Sequence, residues 1–328
     1  MNEPGVFSVS LDFELHWGCF ENIRKIDDKA ELYFSNTKAS IPKMLSLFEK
    51  GGIHVTWAIV GMLFCHDTNE WEENKPSILP SFTNKSASAY DWVDTFGFKS
   101  EDDQQHFAPE LIELINKTPF QEIGTHTYAH YFCLEPGQTI EQFREDIRIA
   151  CKLAAKKGLK LRSLVFPRNQ YNESYLSVCN EFGITAVRTS PEIWYWAYSD
   201  KAGSFMKRFF RAGDAYLKFQ PIKTQYLKDI SIDQLPLKLP STRLYRAWRP
   251  KFSIENKLKL RRILNEMTNA AKKGAYYHIW WHPHNFGYHP DECLIELETI
   301  INHFNILKNK YGFRSLNMSE ITDLLLKK

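Results

Sequence analysis

The chain has 328 residues, 43% of them hydrophobic and 25% charged, a balance typical of globular proteins that excludes disordered and fibrous classes. Its net charge of +3 does not require a nucleic-acid partner, and no apolar run approaches the about 18 residues of a membrane helix. The first residues lack a signal-peptide pattern, and six cysteines without a Cys-x-x-Cys pair favour reduced thiols. We therefore expect a cytoplasmic protein.

Short apolar runs alternate with amphipathic segments along most of the chain. In chain order we predict strand 6–13, helix 37–50, strand 53–60, helix 109–117, strand 120–124, helix 139–158, strand 161–166, helix 174–182, strand 184–188, helix 255–273, strand 276–281, helix 291–310, strand 313–316 and a short final helix. This alternation predicts an α/β fold with a parallel sheet, and the length suits a barrel.

Two long segments interrupt the alternation. Residues 64–107 are polar and rich in Asn and Ser, and residues 190–251 show no clean periodicity. Loops of this length are usually functional. We expect a single domain over 1–328 with insertions at about 64–107 and 190–251.

The first candidate site follows the first strand and reads Asp12-Phe-Glu14-Leu-His16-Trp17. Alternate residues of a strand point the same way, so Asp12 and Glu14 are predicted to share one face. Neighbouring carboxylates repel unless a cation or a proton lies between them. A solvated strand end is the alternative interpretation.

Two histidines follow the third strand, in Gly124-Thr-His126-Thr-Tyr-Ala-His130. Residues four apart share one face of a helix, where both imidazoles can bind one metal ion. Cys133 offers an alternative, a small structural zinc site with the same two histidines.

Two further strand ends carry polar groups. Arg168 follows Pro167 and can hold a catalytic carboxylate ionised, or it is an ordinary surface arginine. His282 follows Trp280-Trp281 and precedes Pro283, a setting that suits a general acid, although a packed aromatic cluster is also consistent with this string. Parallel α/β folds place their active sites at this end of the strands.

These four motifs, in this order on successive strand ends, resemble the polysaccharide deacetylase family, which is carbohydrate esterase family four. The resemblance covers the seven β/α units, roughly two thirds of the chain. It implies a deformed (β/α)7 TIM-like barrel with long inserted loops that binds one divalent metal ion, with Zn²⁺ as the expected ion.

The resemblance also assigns roles to residues. It implies Asp12 as catalytic base, His282 as general acid and Arg168 as the arginine that orients the base. The implied metal ligands are Glu14, His126 and His130, and the implied substrate contacts are Thr127, Trp17 and Trp281. The sequence departs from the family pattern at Glu14, in the wording around Arg168, and at Pro191-Glu192-Ile-Trp194, the nearest match to the fourth motif.

The function implied is a metal-dependent hydrolase that removes an N-acetyl or N-formyl group from an amino sugar of a surface glycan or its lipid-linked precursor. The alternatives are a hydrolase of small amides, similar to allantoinases and imide hydrolases, and a sugar-binding barrel without catalysis.

Residues 201–251 hold 12 Lys and Arg against three Asp, interleaved with aromatic residues. This composition is typical of a solvated basic insertion or of a surface that docks an anionic glycan or a membrane. We expect peripheral contact with the inner face of the membrane through this segment.

Overall fold

The strands are short and lie between much longer helices. The computed structural model describes residues 3–101, 103–191, 193–196, 205–214, 216 and 224–327, apart from the side chains of Arg208 and Ala212. Its strands are β1 (Val6–Phe13), β2 (Val55–Ile59), β3 (Gln121–Thr125), β4 (Ser163–Val165), β5 (Ala186–Thr189), β6 (Leu237–Pro240), β7 (Arg243–Leu244), β8 (Tyr276–Trp281) and β9 (Arg314–Ser315).

The helices begin and end at local sequence signals. They are α1 (Asp28–Gly51), α2 (Thr68–Glu73), α3 (Ala89–Phe96), α4 (Pro109–Lys117), α5 (Ile140–Lys156), α6 (Leu176–Glu181), α7 (Phe205–Gly213), α8 (Ser253–Lys273), α9 (Pro290–Tyr311) and α10 (Met318–Leu326). Capping boxes open α5 and α10, at Thr139 and Asn317. Helix α1 begins nine residues before the predicted start, because Asp27 caps it by accepting a hydrogen bond from the Ala30 amide.

The sheet is parallel and has the order β6-β5-β4-β3-β2-β1-β8-β7, with β9 paired to the start of β1. Asp12 of β1 lies opposite Ala58 of β2, and Ala58 lies opposite Gly124 of β3. This register aligns the carboxyl ends of the three strands, so the residues that follow them meet at one edge.

The two end strands of this order are consecutive in the chain. Strand β6 pairs with β5, and β7 pairs with β8. Between them, the Ser241 amide donates to the Thr189 carbonyl at 2.8 Å, and the Thr242 amide donates to the His278 carbonyl at 2.8 Å. Segment 237–244 therefore draws the two ends of the sheet together, which gives the curled α/β barrel that was predicted.

The prediction of 190–251 as an insertion was wrong for residues 237–244, because strands of four and two residues leave no periodic pattern to detect. The predicted strand 313–316 is the two-residue β9, which flanks β1 rather than continuing the curl.

Segment 64–107 is packed rather than loose. It contains α2 and α3, and its Trp71, Tyr90 and Trp92 are buried in the main core. All six cysteines are free thiols. In the described part of the chain, no helix is long and apolar enough to cross a membrane.

A buried ion network anchors the closing segment. Arg243 donates to both oxygens of Glu266, at 3.0 and 2.7 Å, and to the carboxylate and carbonyl of Asp214, at 3.1 and 2.8 Å. Arg262 of α8 also pairs with both acids. Breaking a buried charge network leaves uncompensated charge in the interior.

We predict that Arg243→Ala lowers the free energy of unfolding by about 3–5 kcal/mol, because Asp214 would keep a buried charge with fewer partners. Urea denaturation followed by circular dichroism measures this loss. The exposed Arg261 of α8 provides the control. Arg261→Ala should change the free energy of unfolding by at most about 0.5 kcal/mol. Equal effects of the two changes would contradict this account.

Candidate active site

Four groups predicted from sequence lie at the same end of the sheet. Asp12 and Glu14 lie at the end of β1, His126 directly follows β3, and His282 directly follows β8. Both carboxylates and His126 are buried, whereas the His282 side chain is 27% exposed. His282 therefore borders the entrance and the carboxylates lie beneath it.

Glu14 lies between two imidazoles. Its Oε2 is 3.2 Å from Nε2 of His126 and 3.2 Å from Nε2 of His130. Burial alone would raise the pKa of Glu14, but the surrounding histidines outweigh it and hold this pKa well below its usual range. The site therefore presents an ionised carboxylate between two imidazole nitrogens.

The protonation of His126 shows why this arrangement fits a cation. Its Nδ1 lies 2.8 Å from the Val165 carbonyl, which can only accept, so Nδ1 carries the proton. In the neutral ring, Nε2 then directs a lone pair at the Glu14 oxygen. Two acceptors at 3.2 Å repel unless a cation or a proton lies between them, and a backbone carbonyl behind the ring is the usual support of a metal-binding histidine.

The two histidines come together on a tight turn and not on a helix, so the predicted helical face is wrong. Thr127 and His130 have positive φ values of 65° and 54°. Asp146 of α5 anchors the turn by accepting from the amides of Tyr128 and Ala129, at 2.6 and 3.0 Å.

Thr127 belongs to the same turn. It is fully buried, and its hydroxyl accepts from the Tyr131 amide at 2.7 Å. The Thr127 side chain therefore shapes the turn, and its contact with substrate stays a prediction.

Asp12 forms a buried ion pair with Arg188 of β5. Nη1 donates to Oδ1 and Nη2 donates to Oδ2, both at 2.7 Å. Burial alone would raise the pKa of Asp12, but Arg188, with smaller contributions from His126 and His282, holds this pKa below its usual value. Asp12 is thus ionised and fixed in orientation.

The prediction that Arg168 holds Asp12 was wrong. Arg168 pairs with Glu21 and Glu135, and its side chain is 42% exposed. Arg188 instead donates hydrogen bonds to both carboxylate oxygens of Asp12. The sequence did carry a signal for this residue, since an arginine ended the apolar strand predicted at 184–188.

His282 and His284 complete the site. Nε2 of His282 is 3.7 Å from Asp12 Oδ2 and 3.6 Å from Glu14 Oε1, and Nδ1 of His284 is 3.7 Å from the same Glu14 oxygen. Burial lowers the pKa of His284 to about 4, so this imidazole is neutral at neutral pH. Glu14 thus belongs to two groups that could hold a metal ion, one with His126 and His130 and one with His282 and His284.

The alternative zinc site with Cys133 is not supported. The Cys133 thiol donates to the Gln170 carbonyl, and Cys133 is in neither of the two metal-binding groups found among the described residues.

Two tryptophans predicted as substrate contacts face away from the site. Trp17 is fully buried and donates from Nε1 to the His106 carbonyl at 2.9 Å. Trp281 packs against Phe286 in the core between sheet and helices. Because side chains alternate along β8, its neighbour Trp280 faces the site, with the Arg188 guanidinium 4.1 Å from its ring centroid.

Comparison with known proteins agrees with this fold. The family model of the polysaccharide deacetylases matches residues 25–187. A structure from Mycobacterium smegmatis classed as a polysaccharide deacetylase superposes with a TM-score of 0.63 at 12% identity, over 100% of this chain and 92% of that one. A second structure classed in the same way, from Pseudomonas aeruginosa, superposes with a TM-score of 0.56 at 12% identity, over 98% of this chain and 91% of that one.

The fold is also shared beyond these proteins. A 4-alpha-glucanotransferase from Thermococcus litoralis superposes with a TM-score of 0.54 at 11% identity, over 98% of this chain and 40% of that one. At such identities the structural likeness shows the fold alone. No curated protein matches the chain in sequence.

The chain belongs to the polysaccharide deacetylase family. This membership supports a carbohydrate deacetylase activity. The matched stretch includes His126 and His130, but it begins after Glu14 and ends before Arg188 and His282. The roles of those residues therefore depend on the geometry of this site.

We predict that Arg188→Met lowers the free energy of unfolding by about 3–5 kcal/mol, because the Asp12 carboxylate would stay buried without its cation. Adding Asp12→Asn should recover part of this loss, since it removes the unpaired charge. Arg168→Met should cost at most about 1 kcal/mol, because the Arg168 side chain is 42% exposed and water screens its ion pairs. Urea denaturation of the unchanged protein and of the three variants tests this. An equal loss of unfolding free energy in Arg188→Met and Arg168→Met would refute it.

Proposed function

We propose that the protein is a metal-dependent N-deacylase that removes an acetyl or formyl group from an amino sugar. The observation that carries this proposal is the position of Glu14 Oε2, 3.2 Å from Nε2 of both His126 and His130, next to the paired Asp12. Glu14, His126 and His130 would hold the divalent cation, with Zn²⁺ as the preferred ion because its usual ligands are imidazole and carboxylate. A divalent cation bound there supplies Lewis-acid chemistry, which acidifies water and stabilises negative charge on an amide oxygen.

The chain's own residues then divide the proton transfers. Asp12 is ionised and held by Arg188, so it can take a proton from the attacking water. His282 lies on the open side of both carboxylates and can give a proton to the departing nitrogen. The same arrangement disfavours the sugar-binding barrel without catalysis, since a binding site alone does not need a buried, oriented base.

The amino sugar is proposed from family membership and from the open side of the site. The hydrolysis of small ureides or imides would use the same groups, so it stays a competing outcome. Assays with N-acetylated and N-formylated amino sugars beside ureides separate the two functions.

We predict that Glu14→Gln, His126→Ala and His130→Ala each lose bound metal and deacylase activity together, because each change removes a ligand. Asp12→Asn and His282→Ala should keep near-stoichiometric metal and lose about 10²–10⁴-fold in turnover, the usual effect of removing a general base or acid. Elemental analysis and rate measurement on each purified variant check both statements.

His284→Ala is the matched control, because it removes a histidine of the other metal-binding group. It should keep the metal. The opposite pattern, with metal lost in His282→Ala and His284→Ala and kept in His126→Ala and His130→Ala, would contradict this assignment. It would place the cation with Glu14, His282 and His284. Full metal in every histidine variant would end the proposal of a metal-dependent enzyme.

A lipid-linked precursor is the proposed form of the substrate, and α7 supports it. Phe205, Met206 and Phe209 of this helix are 87%, 59% and 59% exposed, with Lys207 beside them. Exposed aromatic residues next to basic ones suit the interface of an anionic membrane. The Arg208 side chain lies outside the described part of the chain.

Three members of the predicted basic and aromatic segment are not available for docking. Arg243 and Tyr245 are buried, and Phe210 packs against Trp194 and Tyr195. The membrane-facing surface proposed here is the exposed face of α7, and it does not include these three residues.

We predict that the protein floats with anionic liposomes at low salt and less so at high salt, because salt screens the basic charges. Phe205→Ser together with Phe209→Ser should weaken this binding about ten-fold or more, through lost apolar burial. Ile254→Ser removes an apolar side chain that is 70% exposed on α8 and should have no effect. Absence of flotation at low salt would contradict the membrane proposal.

A further inference from the structure

The chain turns sharply directly after Glu14. Residues Leu15–Gly18 form a single turn of 3₁₀ helix, and the Trp17 amide donates to the Glu14 carbonyl at 3.0 Å. Leu15 has a φ of 44°, in the left-handed region that leucine rarely adopts. Strained backbone of this kind persists only where its surroundings hold it, and it is concentrated at functional sites. Contacts from elsewhere must therefore hold the turn after the proposed metal ligand.

Gly18, the last residue of this turn, lies directly against the Glu14 carboxylate. A Cβ atom at position 18 would lie 2.0 Å from both Cδ and Oε1 of Glu14. Any side chain there would therefore push the carboxylate out of its place. Because Gly18 has no side chain, the backbone of the turn forms the wall that fixes where Glu14 Oε2 meets the imidazoles of His126 and His130.

Segment 103–106 holds the turn from the other side. The His16 amide donates to the Gln105 carbonyl at 3.3 Å, and Nε1 of Trp17 donates to the His106 carbonyl at 2.9 Å. A third contact joins two rings, with Nδ1 of His16 2.7 Å from Nε2 of His106. The two histidines are 90 positions apart in the chain, so these contacts tie two distant segments together next to Glu14.

The two rings belong to a buried polar chain that has a partner at each end. Nε2 of His16 lies 2.7 Å from the Ile23 carbonyl, and Nδ1 of His106 lies 3.0 Å from Oδ1 of Asp103. Two backbone amides of its own loop donate to the Asp103 carboxylate, at 2.9 and 3.1 Å. Apolar side chains of the same volume would fill this space without loss of stability. A satisfied polar chain, in contrast, selects one arrangement of the groups that it joins.

We infer that Gly18, His16 and His106 are positioning residues of the proposed metal site. This inference rests on the metal site of the proposed function and adds residues that contact no metal. The buried chain fixes the turn through its two histidines, and Gly18 sets the Glu14 carboxylate at its distance from the two imidazoles. The insertion between β2 and β3 thus prepares the metal site without supplying a ligand.

Titration of the metal-free protein with Co²⁺, followed by visible absorption, tests the inference without any turnover. Co²⁺ accepts nitrogen and oxygen ligands, and its absorption changes with their geometry. Gly18→Ala should weaken Co²⁺ binding about ten-fold or more and alter the absorption of the bound ion, because the added methyl group displaces the Glu14 carboxylate. The circular dichroism of the metal-free variant should stay unchanged.

Gly158→Ala is the matched control. Gly158 has a φ of 71°, which strains any side chain, and nothing lies within 4 Å of the added methyl group. This change should lower the thermal midpoint and leave the Co²⁺ affinity unchanged. The pair of variants thus separates displacement of the carboxylate from a general loss of stability.

His106→Leu and His106→Gln test the polar chain separately. Leucine fills the space of the ring without a donor, whereas the glutamine amide can still donate to Nδ1 of His16. His106→Leu should weaken Co²⁺ binding about ten-fold, and His106→Gln should retain most of the affinity. Unchanged affinity in Gly18→Ala, or equal affinities in the two His106 variants, would overturn the inference.

The same titration separates this inference from the proposed function. Co²⁺ binding that follows these expectations, in a protein without any deacylase activity, would refute the proposed function and leave the positioning residues standing. Absence of Co²⁺ binding to the unchanged protein would overturn both.

Discussion

This site depends on one constraint: the carboxylates of Asp12 and Glu14 are both buried, only two residues apart. Ionised groups in a protein interior need a compensating charge, and Asp12 obtains one from Arg188. The ion-pair partners of Glu14 in the described part of the chain are imidazoles, and His126 directs an unprotonated nitrogen toward it in its neutral form. Asp12 thus has a fixed cationic partner within the protein and Glu14 does not, and this difference supports the different roles proposed for the two carboxylates.

The fold supplies the supports for this arrangement from distant parts of the chain. Asp146 of α5 holds the turn between His126 and His130, and segment 237–244 draws together the sheet ends that carry Arg188 and His282. The long segment 64–107 contributes the buried His106, whose Nε2 lies 2.7 Å from Nδ1 of His16, two residues beyond Glu14. The site is therefore coupled to the stability of the whole barrel.

The sequence predicted the parts of this structure that depend on local signals. Capping boxes and apolar periodicity located the long helices and the first five strands, and the strand-end motifs located both carboxylates and three of the histidines of the site. Arg188 ended the strand predicted at 184–188, but its role was missed because its pairing with Asp12 joins residues 176 positions apart, and no local pattern records such a pairing. The choice of Trp281 over Trp280 failed because one residue along a strand reverses the side-chain direction.

The most direct test of the account is a crystal structure of the protein grown with zinc, with anomalous diffraction recorded on both sides of the zinc absorption edge. The account predicts one anomalous peak in contact with Glu14 and with Nε2 of both His126 and His130. A peak on His282 and His284 instead, or no peak within reach of Glu14, would contradict it.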